Sequence, residues 1–265
     1  MSYRGGPVPL NLNENETNYS ASNYRTPDGA PTDIVIFTIT SQEKETGKKA
    51  LPNRELQVLL IRRKVWPYEG QWALPGGFTR ETETVEDCAI RELKEEAGVE
   101  RVHMEFLKVY SKPGRDPRGW MISHAFCALV NERYLRDRRA SDDAEDVQLF
   151  PLSEALEMEL AFDHHDIIRD AYRRIQQQMV TEPIAKEFLP EEFTIGELYQ
   201  IIQTVVPAFE EKNFIRKVTS TQSRKGLIEE VRHADGSLKQ SNQYSQRAAQ
   251  LYRFTGFVPE LSIYS

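Results

Sequence analysis

The chain has 265 residues, 39% of them hydrophobic and 28% charged, with a net charge of −7 and two cysteines; its mean hydropathy is −0.58 and its isoelectric point is near 5.4. That length supports one large domain or two small ones. No apolar run approaches the ~20 residues that span a bilayer, residues 1–20 lack a signal-peptide core, and Cys88 and Cys127 are too few for a disulfide framework or an all-protein zinc site. A soluble cytoplasmic protein is expected. The acidity argues against a phosphate-binding surface only as an average. Residues 1–185 carry 24 Lys and Arg against 31 Asp and Glu, whereas residues 186–265 carry ten of each.

Residues 1–31 are rich in Asn, Ser, Pro and Gly and read as a loosely ordered arm. Ile34 to Ile39 is a continuous β-branched and aromatic run, as in a buried strand, and Leu56 to Ile61 reads as a second strand. Thr84 to Ala97 lacks Pro and Gly and reads as a helix stopped by Gly98. Strands follow around 105–110 and 122–130, joined by the loop Lys112 to Gly119. Helices are expected at 154–159 and 166–179, the latter with Ile168, Tyr172 and Ile175 on one face. Pro183 and Pro190 mark a linker. Thr194-Ile195-Gly196-Glu197 is a capping-box pattern opening a helix over 197–206. Pro207 breaks it, and 209–218 reads as another helix. Residues 226–231 and 250–254 read as strands around an Asp235-Gly236 turn. Two helices followed by a ribbon is the outline of a winged helix-turn-helix.

The chemistry concentrates in Gly77 to Val99. Glu92, Glu95 and Glu96 at i, i+3 and i+4 share one helix face. Three carboxylates so close raise one another's pKa unless cations neutralise them. An all-oxygen cluster suits Mg²⁺ or Mn²⁺, with substrate phosphates and water completing the shell. Arg91, two turns after Glu83, is placed to orient the acids through a salt bridge, and Gly76-Gly77 lets the backbone turn tightly ahead of the helix. A Glu-rich helix is ordinarily just a solvated face. The full pattern is far more specific: Gly77-x5-Glu83-x7-Arg91-Glu92-Leu93-x-Glu95-Glu96-x-Gly98-Val99. It is a complete Nudix box, and the chain resembles the Nudix hydrolases over roughly residues 32–180. The resemblance implies an α/β/α sandwich and hydrolysis of a nucleoside diphosphate linked to another moiety. It also implies that Glu92, Glu95 and Glu96, with Gly76, hold the metal, that Glu83 and Arg91 support them, and that Gly77 and Arg62 lie at the substrate.

Beyond the box, Lys112-Pro113-Gly114-Arg115-Asp116-Pro117-Arg118-Gly119 offers Arg115 and Arg118 to phosphate or ribose oxygens, or is an ordinary surface turn. Pro113, GRDPRGW and Leu160-Ala161-Phe162-Asp163-His164 look like the ADP-ribose pyrophosphatase branch. The acidic loop 141–146 supplies a general base in Glu145, or is simply solvated. Trp66, Tyr68 and Trp72 read as stacking partners for a base or as packing. Adjacent His164 and His165 point apart on a helix, which disfavours a shared metal. Cys88 reads as a small packed residue.

In the tail, Lys212, Asn213, Arg216 and Lys217 lie on the second helix, and Arg224 and Lys225 just after it, where a winged helix meets DNA. A Nudix domain followed by FTIGELYQII, KNFIRK and AAQLYRF resembles the NrtR-type Nudix-related transcriptional regulators. That resemblance implies an α+β chain with an arm (1–31), a Nudix domain (32–183) and a winged-helix domain (184–265). It further implies a homodimer that binds operator DNA and an ADP-ribose-like or sugar ligand. Many such regulators have a degenerate box; here the box is intact, so Mg²⁺-dependent hydrolysis is expected alongside regulation. The alternatives are a non-catalytic sensor and a tail that serves only dimerisation.

Overall fold

The computed structural model describes residues 25–42, 49–98, 102–135, 144–220 and 226–257. Its centre is a mixed six-stranded sheet. β1 (Thr32–Gln42) pairs antiparallel with β2 (Asn53–Arg63) on one edge and parallel with β5 (Ser123–Leu129) on the other. β4 (His103–Tyr110) closes the β5 side. β3 (Trp72–Ala73) and β6 (Ala144–Pro151) both pair with β2.

The unbroken apolar run of β1 reflects burial on both faces. Ile34 and Ile36 join Leu59, Ile61 and, from α1 (Val85–Ala97), Ala89 and Leu93 in one cluster. Val35, Phe37 and Ile39 point the other way. They join Val58, Leu60 and, from α3 (His164–Thr181), Ile167, Ile168, Ala171 and Ile175. The alternation of strand side chains thus makes the three layers, α1 against sheet against α3.

Three expected features differ. β6 covers residues 144–151 where sequence reading placed an acidic loop; the short apolar stretch Val147 to Phe150 pairs with β2 in full register. The helix expected at 154–159 is α2 (Leu152–Ala155). Residues 25–31 are part of the fold, not of a loose arm. The Asp28 N–H donates to the Trp120 carbonyl at 2.8 Å while its carboxylate accepts the Trp120 N–H at 2.7 Å, and the Thr79 N–H donates to the Ala30 carbonyl at 3.1 Å.

After a single-turn 3-10 segment at 184–187, β7 (Phe193–Thr194) leads into α4 (Ile195–Val205). The capping box at Thr194 and Glu197 forms on both sides. α5 (Phe214–Ser220) starts later than the pattern suggests, after Asn213 in a left-handed conformation, φ 64°. β10 (Ala249–Phe254) pairs antiparallel with β7, β8 (Ile228–Glu230) and β9 (Gln240–Ser241), with the Asp235-Gly236 turn between β8 and β9. The outline is a helical pair with a ribbon, consistent with a winged helix-turn-helix.

The sandwich and this unit share one hydrophobic cluster, running from Val35 and Leu60 through Ile201 and Ile202 to Val218 and Ile228. Polar contacts reinforce it. Gln200 Nε2 donates to the Pro52 carbonyl at 2.6 Å, Tyr172 and Gln176 both donate to the Val205 carbonyl at 3.2 Å, and Arg54 meets Glu197 at 3.6 Å. Among the described residues, no helix is long and apolar enough to cross a membrane.

Candidate functional site

α1 is built to hold charge. Thr84 Oγ1 accepts from the Asp87 N–H at 3.1 Å while the Asp87 carboxylate accepts from the Thr84 N–H, and Glu86 and Asp87 favour the positive end of the helix dipole. Gly98 closes the helix at φ 68°, donating to the Lys94 carbonyl. The face that buries Ala89 and Leu93 also carries Glu92 and Glu96, both buried, whereas Glu95 is exposed.

The Arg91 guanidinium gathers the acids. It meets Glu83 at 2.7 and 3.1 Å, Glu92 Oε1 at 2.5 Å and Glu95 Oε2 at 3.2 Å. This bond, with the Arg80 N–H, brings the Glu83 carboxyl down to about 2. Burial pushes Glu92 the other way, above the usual carboxylate range, with the Glu95 charge adding to it and Arg91 opposing. Glu96 Oε2 accepts the Gly76 N–H at 2.9 Å. Gly77 lies so close that a Cβ there would overlap the Glu92 carboxylate and displace it from this position.

The facing wall carries a buried charge network that sequence reading missed. Asp33 of β1 meets His164 Nε2 at 3.3 Å, Arg115 Nη2 at 3.1 Å and the Ser123 hydroxyl at 2.5 Å. Burial alone would raise its carboxyl; the His164, Arg115 and Ser123 donors hold it far below the ordinary value. The Leu74 N–H donates to His164 Nδ1 at 2.8 Å, which makes Nε2 the nitrogen that donates to Asp33. Both ring nitrogens are engaged, so His164 has no lone pair left for proton abstraction.

Between the walls lies a cavity of about 400 Å³. Arg63, Lys64, Arg80, Arg91 and Arg118 line it together with Asp33, Glu92, Glu95 and Glu96, and Ile61, Leu74, Phe78 and Phe162 supply its apolar surface. The structure therefore brings Gly76, Gly77, Arg91, Glu92, Glu95, Glu96 and Arg118 to one place, with Glu83 behind Arg91. Arg62 points elsewhere, donating to the Gly70 carbonyl at 3.0 Å. Its strand neighbour Arg63 faces the cavity, as alternation requires. Arg115 is buried against Asp163 at 2.6 Å and Asp33 at 3.1 Å, and is not among the lining residues. Tyr68 contacts Phe162, and Trp72 packs on Phe150. Cys88 is buried, its sulfur 3.4 Å from Thr32 Oγ1.

Among the described residues, no three His, Cys, Asp or Glu side chains already surround a common point as a metal set. The Arg91 guanidinium bridges Glu92 and Glu95. The donors themselves suit a hard divalent ion, being carboxylate oxygens only, and Glu92 stays under-compensated even beside Arg91.

On α5, Ile215 and Arg216 are exposed with Lys212 and Asn213 just ahead of it, while Phe214 and Val218 are buried. Lys217 turns to Glu211 at 2.7 Å. Arg224, Lys225 and the Glu145 side chain lie outside the described residues.

The family model "NUDIX domain" matches residues 49–171. An ADPR-responsive transcriptional repressor of Acinetobacter baylyi, NtrR, is 31% identical over 240 residues, 89% of this chain and 85% of that protein. The chain belongs to the NrtR-type Nudix-related transcriptional regulators. A crystal structure of Shewanella oneidensis NrtR complexed with a 27mer DNA superposes with a TM-score of 0.70 at 28% identity, over 88% of this chain and 98% of that one. An ADP-ribose pyrophosphatase of Methanocaldococcus jannaschii is 44% identical over 120 residues, 45% of this chain and 68% of that protein. The Nudix half thus resembles both a regulator and a hydrolase, and the likeness to the regulators extends beyond it.

Proposed function

We propose that the chain is a ligand-responsive DNA-binding regulator. Its Nudix domain (32–183) binds ADP-ribose or a related nucleoside diphosphate derivative, and its winged helix (184–265) binds operator DNA as a homodimer. The observation that carries this reading is the single hydrophobic cluster that joins the charged sandwich to the helix-and-ribbon unit, in a chain alike to an ADPR-responsive repressor over 85% of its length. β2 gives the link a physical path. Arg63 near one end lines the cavity, and Arg54 near the other pairs with Glu197 of α4.

In the cavity, Arg63, Arg80 and Arg118 meet the anionic phosphates, and Phe78 and Phe162 give the ligand an apolar wall. Mg²⁺ or Mn²⁺ would be held by Glu92, Glu95 and Glu96 with the Gly76 carbonyl. When bound, the ion supplies the charge that offsets these carboxylates and polarises a phosphoryl oxygen. Arg91 keeps the acids on one face in the meantime, and Gly77 keeps room for Glu92.

A second reading, hydrolysis of ADP-ribose to AMP and ribose 5-phosphate, is favoured by the intact acid set and by 44% identity to an ADP-ribose pyrophosphatase over 120 residues. One panel separates the two. Nucleoside diphosphate derivatives are offered with Mg²⁺ and scored for product release and thermal shift. A shift by ADP-ribose without release leaves the sensor alone. Release that falls roughly a hundredfold or more in Glu96→Gln, with the fold retained, establishes the hydrolase. No shift with any derivative would sink the ligand assignment.

A further inference from the structure

The cavity wall opposite α1 is a ladder of alternating cations and rings. The Arg63 guanidinium carbon stands 5.1 Å from the Phe162 ring centre, Arg118 stands 5.5 Å from the same ring, and Arg118 also stands 4.9 Å from Phe78. All four residues line the cavity. Each guanidinium is also fixed at its edge. Arg63 Nε donates to the Pro67 carbonyl at 2.7 Å, and Arg118 donates to Asp116 at 3.0 and 2.6 Å.

The ring between the two cations is held in an unusual way. Phe162 has φ 56° and Tyr68, whose ring packs edge-on against it at 4.8 Å, has φ 61°. A bulky L side chain rarely adopts this region, and such positions persist only where the surroundings fix them. Here the next residue, Asp163, is clamped by Arg115 at 2.6 Å, and Arg115 is clamped in turn by Asp33 at 3.1 Å. The buried network behind the cavity therefore sets the backbone of Phe162, and Phe162 sets the two guanidiniums.

The geometry points to Phe162 as a positioning residue: its ring spaces Arg63 and Arg118 so that together they grip a ligand carrying two linked phosphates, in preference to one carrying a single phosphate. This rests on the reading above that the cavity takes a nucleoside diphosphate derivative. The ring attracts both cations, so their mutual repulsion is offset until two linked phosphates arrive with one anion for each guanidinium. An aliphatic side chain of similar bulk fills the space but attracts neither cation.

The test is calorimetric titration of the full chain with ADP-ribose and, separately, with AMP, both without divalent metal. Phe162→Leu is expected to weaken ADP-ribose by about tenfold, the scale of two cation–π contacts, while AMP changes far less. Phe162→Tyr, which keeps the ring, restores ADP-ribose binding. Arg63→Gln reproduces the loss, and combined with Phe162→Leu it adds little, because the two act through one contact. If Phe162→Leu fails to fold, Phe162→Met, which fills the same space without a ring, takes its place with the same expected losses. Wild-type affinity for ADP-ribose in Phe162→Leu, or equal losses for both ligands, overturns the positioning role and leaves the parent reading standing. A wild-type chain that binds neither ligand, with or without Mg²⁺, overturns both.

Discussion

Around the cavity, two arginines each gather several acids. Arg91 engages three carboxylates and Arg115 two, and the Arg115 side chain is 3% exposed. In the winged-helix ribbon the pattern reverses. Among the described residues, Arg253 pairs with Glu229 and Arg232 with Glu230, both arginines being about half exposed. On α5, Arg216 is exposed. A small anionic ligand demands fixed charges at fixed distances, because it is read by geometry. A nucleic-acid backbone demands accessible cations, because much of the binding free energy comes from released counterions. The proposed function assigns one of these demands to each half.

The contrast can be broken first at Arg115. Arg115→Ala takes the guanidinium from Asp163 and leaves Asp33 with His164 and Ser123, and the expected cost is about 3 kcal/mol in urea denaturation of the full chain. A cost under about 1 kcal/mol would mean that the network is no more than a surface pair. Next comes the seam between the halves. Glu197→Gln keeps an acceptor for the α4 capping box but leaves buried Arg54 without its carboxylate, and about 2 kcal/mol should be lost. An unchanged midpoint would show that the ion pair contributes little beside the shared core. The smallest effect on stability belongs to α5. Arg216→Ala should change stability by no more than about 0.5 kcal/mol. It should nonetheless reduce the salt slope of DNA binding by about one. An Arg216→Ala chain with an unaltered slope would take this residue off the DNA.

What the sequence disclosed follows the same division. α1 and its acids were legible because their chemistry depends on spacing within one helix, and β1 because burial on both faces leaves an unbroken apolar run. The opposite wall is legible only in part. Arg118 and the segment Leu160 to His164 stand out in the sequence, whereas Asp33 and Arg63 do not, because these residues come from segments far apart in the chain that no local period links. Arg115 resembles Arg118 in sequence, yet one is buried against Asp163, 48 positions away, and the other lines the cavity. Only the fold separates them. Alternation along β2 likewise moves the cavity cation from Arg62 to Arg63. β6 was hidden because its acidic beginning reads as loop while its pairing with β2 is tertiary. On α5 the cations were visible, but not that Lys217 turns to Glu211.

The central claim is that one chain joins a ligand cavity to a DNA-binding surface. It is tested most directly by fluorescence anisotropy of a duplex from the upstream region of its own operon, titrated with the full chain with and without saturating ADP-ribose. The account expects salt-sensitive binding whose apparent Kd shifts by about fivefold or more when ADP-ribose is present. Superimposable isotherms, under conditions where ADP-ribose is bound, would contradict it.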